Sequence, residues 1–148
     1  MPDTRTETRR APMPDTRTEN GSVAADISRR AVQILREYTG RGPTKARTVI
    51  SKDTVAIVLA DTLTKGERSL VGMGEEEHVL RTRRNYQELM RNDLVGLVEE
   101  LTGQKVHVFF SDNHIEPDYA VEFFLMTPIP GTEAEPAAPR PQAEQVPV

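Results

Sequence analysis

The stretch EEEHVLRTRRNYQELMRNDLVGLVEEL, Glu75–Leu101, decides the fold. Its apolar residues fall at Val79, Tyr86, Met90, Leu94, Leu97 and Leu101, with Leu89 and Val98 beside them. Steps of three, four and seven place them on one side of an α-helix with a period of 3.6 residues. Arg81, Arg83, Arg84, Glu88, Arg91, Glu99 and Glu100 lie between them and suit a solvated face. At the usual rise per residue the segment runs about 40 Å, which predicts one flank against a sheet and the rest against another helix or a second subunit. Glu75, Glu76 and Glu77 occupy the first turn, where negative charge complements the helix dipole, and Gly103 ends the helix.

Working outward, Ser22 reads as the N-cap of an earlier helix whose stripe is Ala24, Ile27, Ala31, Ile34, Leu35 and Tyr38. Gly40 and Gly42 supply the freedom of a helix end, and Pro43 prevents continuation. Arg47–Ser51 and Thr54–Asp61 follow as strands about a tight turn at Lys52-Asp53. Apolar residues on both faces of the second imply helices on one side and partial shielding on the other. Thr64 caps a short helix to Leu70, broken by Gly72-Met73-Gly74. After the long helix, Val106, Val108 and Phe110 alternate with His107 and Phe109 as a third strand. Val121, Phe123 and Leu125 alternate with Glu122, Phe124 and Met126 as a fourth, stopped by Pro128 and Pro130. The order α-β-β-α-α-β-β predicts an α+β, two-layer fold: a mostly antiparallel four-stranded sheet covered on one face by helices.

The 148 residues hold one ordinary domain. We expect it at 22–127, between disordered tails at 1–21 and 128–148, the second rich in Pro, Ala and Glu. The N-terminal tail carries a direct duplication, Met1–Glu7 and Met13–Glu19, without apolar periodicity and assigned no function. A net charge of −4 argues against a broad nucleic-acid surface. The absence of cysteine excludes disulfides and thiolate metal sites and fits a reducing compartment. The longest uninterrupted apolar run, Val55–Ala60, falls far short of the ~20 residues that span a bilayer, and the N-terminus has no apolar signal region. The expected location is therefore the cytoplasm.

Two segments attract chemistry. Ser111–Asp118 gathers Asp112, Asn113, His114, Glu116 and Asp118 within eight positions, read as a polar loop. It lacks the Gly and distal Glu of a calcium loop, so turn chemistry or partner contact is the leading reading. Gly40–Lys45 invites comparison with a phosphate loop, but its Lys is followed by Ala and it follows a helix, not a strand. The segment therefore reads as a helix stop, with Lys45 and Arg47 as ordinary exposed cations open to an anion. The candidate partner- or ligand-binding residues are Gly42, Pro43, Thr44, Lys45, Asp112, Asn113, His114 and Asp118. No catalytic residue, metal ligand or cofactor is assigned. A metal-dependent enzyme using Asp112, His114 and Asp118 stays open as an alternative. So does a KH-like RNA-binding module using the basic stretch Arg81, Arg83, Arg84 and Arg91.

Gly-Arg-Gly-Pro-Thr-Lys-Ala-Arg (Gly40–Arg47), Leu-Val-Glu-Glu-Leu-Thr-Gly (Leu97–Gly103) and Ser-Asp-Asn-His-Ile-Glu-Pro-Asp (Ser111–Asp118) resemble, in order, a small bacterial family. It is named for the MpsC component of a Na+-translocating, membrane-potential-generating system. The match covers about Asp26 to Met126. The resemblance implies a peripheral partner of a membrane transport system, with no catalytic residues to carry over. The length of the Glu75–Leu101 helix, the polar Ser111–Asp118 segment and the lack of a catalytic constellation give the leading expectation: a non-enzymatic accessory or regulatory protein that binds another protein, or its own copy, through that helix or that segment.

Overall fold

The computed structural model describes residues 16–132. Three helices and four strands follow in the expected order: α1 (Thr16–Thr39), β1 (Lys45–Ser51), β2 (Thr54–Ala60), α2 (Lys65–Gly72), α3 (Glu76–Thr102), β3 (Val108–His114) and β4 (Tyr119–Leu125). All strand pairs are antiparallel, in the spatial order β1-β2-β4-β3. The helices lie on one face, so the α+β two-layer expectation holds.

The core is the seam between that face and two helix stripes. Val55, Ile57 and Leu59 of β2 are fully buried, as is Phe124 of β4. Against them pack Ile27, Ala31 and Leu35 of α1, four residues apart, and Met90, Leu94, Leu97 and Val98 of α3. Tyr38 Oη donates to Asp93 Oδ2 at 2.7 Å and Arg30 reaches Glu100 at 3.0 Å, tying α1 to α3 at their rims. A smaller cluster of Leu63, Val79 and Ile115, flanked by Leu70, Val71 and Leu80, seats α2 beside the start of α3.

Local chemistry fixes the junctions. Gly40 takes the left-handed conformation (φ +77°) and its N–H closes on Arg36 O. Thr64 and Glu67 form a reciprocal capping box at the start of α2. Gly103, also left-handed, closes α3 on Glu99 O.

Two boundaries depart most from the expected ones. Ser22 is no cap: it sits inside α1, which begins at Thr16, so residues 16–21 of the expected tail are helical. Residues 1–15, with the first copy of the duplication, and 133–148 lie outside the described residues. Most consequentially, the polar "loop" is half strand. Ser111, Asp112, Asn113 and His114 pair with Glu122, Val121, Ala120 and Tyr119, leaving a turn at 115–118. Their weak intrinsic strand preference is overridden by the apolar partner strand.

Candidate functional site

Antiparallel register sorts the side chains into two faces. Inward rows across the sheet are Ile50–Val55–Phe124–Phe109, Thr48–Ile57–Glu122–Ser111 and Ala46–Leu59–Ala120–Asn113. A charged residue therefore stands in the middle of the core face. Glu122 is 1% exposed. Its Oε2 and the Oγ of its register partner Ser111 have no hydrogen-bond partner among the described residues. Burial drives the Glu122 carboxyl from the ordinary value of 4.5 up to about 7, against a weaker downward pull from the Ser111 hydroxyl. The two groups are adjacent but unbonded, so burial is the cause that matters.

Glu122 lines a cavity of about 220 Å³ between the sheet, α1 and α3. Leu35, Pro43, Tyr86, Met90 and Ala120 give it an apolar wall, and Gln87, Thr62, Thr39 and Asn113 add polar groups. Two arginines also reach the wall, and both are engaged. Arg83, whose side chain is 13% exposed, grips Glu67 with Nε to Oε2 at 2.7 Å and Nη2 to Oε1 at 2.9 Å. It also donates to the Thr62 carbonyl and hydroxyl and to Asn113 Oδ1. Arg41 donates to the carbonyls of Asp61 and Leu63 and to Asp61 Oδ2.

The charge state of this wall follows from those contacts. Burial would raise the Glu67 carboxyl, but the hydrogen bonds from Arg83 and from the Thr64 amide outweigh it and hold Glu67 below its ordinary value. Asp61 is likewise lowered, first by the Thr44 hydroxyl, then by Arg41 and Arg68, with desolvation opposing. Asp61 itself takes a left-handed backbone (φ +55°), which Asp tolerates better than most residues.

Of the expected contacts, the structure brings four together at this end of the sheet. Thr44 Oγ1 donates to Asp61 Oδ2 at 2.9 Å, Pro43 and Asn113 line the cavity, and Asp118 accepts from Thr62 Oγ1 at 2.7 Å and Leu63 N at 2.9 Å. Gly42 is buried against α1, where a Cβ would lie 3.1 Å from Val32 Cγ1 and from the Val32 carbonyl oxygen. Lys45, Asp112 and His114 fall elsewhere, exposed and at outward register positions. The metal-enzyme trio is thus split: Asp118 is spent on Thr62 and Leu63, and the His114 ring meets Pro117 O at 2.7 Å. Among the described residues no three His, Asp or Glu side chains converge to hold a metal ion.

The basic stretch is divided too. Arg83 turns inward and Arg91 lies over the Phe109 ring at 5.6 Å from its centroid, leaving Arg81 and Arg84 on the exposed side. Arg83 and Gln87 were legible as seam positions, four and eight residues after Val79 on the helix stripe. Their polarity concealed it.

Opposite the helices, the outward rows are Ser51–Thr54–Leu125–Val108, Val49–Ala56–Phe123–Phe110, Arg47–Val58–Val121–Asp112 and Lys45–Ala60–Tyr119–His114. No described element covers this face, and Phe110 is 61% exposed, its ring centroid 6.2 Å from that of Phe123.

These features define a small α+β protein with an uncovered sheet face on one side and, on the other, a cavity lined by the deeply buried Glu122. Residues 19–127 match the model of the family described as "Na+-translocating membrane potential-generating system (MpsC)", and the chain belongs to that family. It is also 32% identical over 95 residues to the uncharacterized protein YbcI of Bacillus subtilis (strain 168), an alignment covering 62% of this chain and 75% of that relative. No solved structure matches. No described helix is long and apolar enough to cross a membrane.

Proposed function

We propose that this protein is a non-enzymatic accessory component of a membrane system of the kind its family is named for, working at the membrane's cytoplasmic side by protein–protein contact. The observation that carries this reading is the uncovered sheet face with its apolar row Val49–Ala56–Phe123–Phe110. An apolar strip rimmed by charge marks an interaction surface more often than a solvated one.

The occupant its charge pattern favours is a second copy. Arg47 and Asp112 stand in one row on opposite edges of the sheet. A copy rotated about an axis parallel to the strands lays its β3 over this β1. Arg47 then comes opposite Asp112, Val49 opposite Phe110, and Phe123 opposite the small Ala56. The patch is self-complementary, as a two-fold interface requires. Sedimentation of the full chain tests this. A dimer lost in Phe110→Lys and in Arg47→Glu, and regained in the Arg47→Glu/Asp112→Arg double variant, is expected. A wild-type monomer at all concentrations would refute it.

A further inference from the structure

The cavity on the helix side is independent of that surface. We propose that it binds a small organic amine, its protonated nitrogen on the Glu122 carboxylate and its apolar body against Leu35, Tyr86 and Met90.

Size sets the first limit. A cavity of about 150 Å³ in another protein holds a benzene ring, so 220 Å³ accommodates a ring or short alkyl chain with one polar arm. Drug-sized ligands need larger pockets. Charge sets the second. Glu122 is buried and lines the wall, and its Oε2 has no partner among the described residues, so its carboxyl is the unused acceptor a ligand would meet. An anion would meet two carboxyls, Glu122 and Glu67, and no available cation among the described residues, because Arg83 is taken by Glu67, Thr62 and Asn113 and Arg41 by Asp61 and Leu63. A neutral donor would leave Glu122 either protonated or charged without a counterion. An ammonium resolves both, since a charge-assisted hydrogen bond is about twice as strong as a neutral one. The aromatic ring of Tyr86 adds a surface that attracts cations.

Proton bookkeeping follows from the position of Glu122. When that group is protonated, an incoming ammonium keeps its own proton and the carboxyl releases one to solvent, leaving a carboxylate–ammonium pair. One proton therefore leaves per amine bound at pH 6, and the release declines above the Glu122 midpoint of about 7.

Titration calorimetry of the full chain reads this directly, using benzylamine, benzyl alcohol and benzoate in two buffers of different ionisation heat. Benzylamine is expected to bind with close to one proton released at pH 6, benzyl alcohol about tenfold more weakly, and benzoate not at all. In Glu122→Gln the advantage of the amine over the alcohol disappears while the alcohol still binds. Equal binding of the three ligands, no binding of benzylamine at millimolar concentration, or binding without proton release would each overturn the proposal. The wild-type ligand series stands even if the variant fails to fold.

Discussion

Glu67 and Glu122 are two carboxyls in the wall of one cavity, and they have opposite fates. Glu67 is reached by both arms of the Arg83 guanidinium and by the Thr64 amide, and its pKa falls. Glu122 is more deeply buried and has only an unbonded serine hydroxyl beside it, and its pKa rises to about 7. Burial alone thus does not decide ionisation; the number of donors aimed at the charge does. The first carboxylate is structural, locking α2 to α3. The second is held available.

Breaking the satisfied pair produces the largest effect. Arg83→Met removes the partner of Glu67 and the donor to Thr62 and Asn113 together. Loss of one member of a buried pair costs about 3 kcal/mol or more, read as a shift in the urea midpoint. The second test uses pH. The folded pKa of Glu122 lies above its unfolded value, so its stabilising contribution is complete below about pH 4.5 and is lost as pH rises through about 7. The stability of Glu122→Gln relative to wild type is therefore expected to improve by about 3 kcal/mol between pH 4 and pH 8. Glu67 has the opposite sign. Its contribution is present above its unfolded pKa and is lost on acidification, so Glu67→Gln is costly at pH 7 and converges with wild type in acid. If the two variants shared one pH slope, the contrast would be void.

Smaller effects test the surroundings. Gly42→Ala pushes a methyl against Val32 where the chain passes beneath α1, and overpacking of this kind costs about 1–2 kcal/mol in thermal unfolding. Phe110→Lys, on the uncovered face, should change monomer stability by no more than about 0.5 kcal/mol while abolishing self-association.

Helix periodicity and turn residues were enough to read the architecture, because Val79, Met90, Leu94 and Leu97 repeat at helical spacing and Gly40, Lys52-Asp53 and Gly103 mark real chain reversals. The cavity was less legible, since its key residues contradict their positions. Alternation along β4 offered two faces, Val121–Phe123–Leu125 and Glu122–Phe124–Met126, and a charge ordinarily argues for the solvent side. Cross-strand packing reversed that: Phe124 packs against Phe109, ring centroids 5.0 Å apart and tilted, and carries Glu122 inward with it. Arg83 misled in the same way, because the carboxylate that neutralises it is supplied by another helix. Asn113 and Asp118 were read as parts of a loop, whereas the first lies on a strand and the second in its turn.

The position of β4 in the sheet also governs how the protein can be made. Residues 119–125 are the last of the described strands to be synthesised, yet they lie between β2 and β3, and their pairing with β2 spans most of the domain. Long-range closures of this sort are slow to form. Until residue 125 has left the ribosome, β2 presents an open, strongly apolar edge, which is a template for pairing with other chains. A nascent chain interrupted before Tyr119 is therefore an aggregation hazard, and chaperone demand during synthesis should peak in that interval.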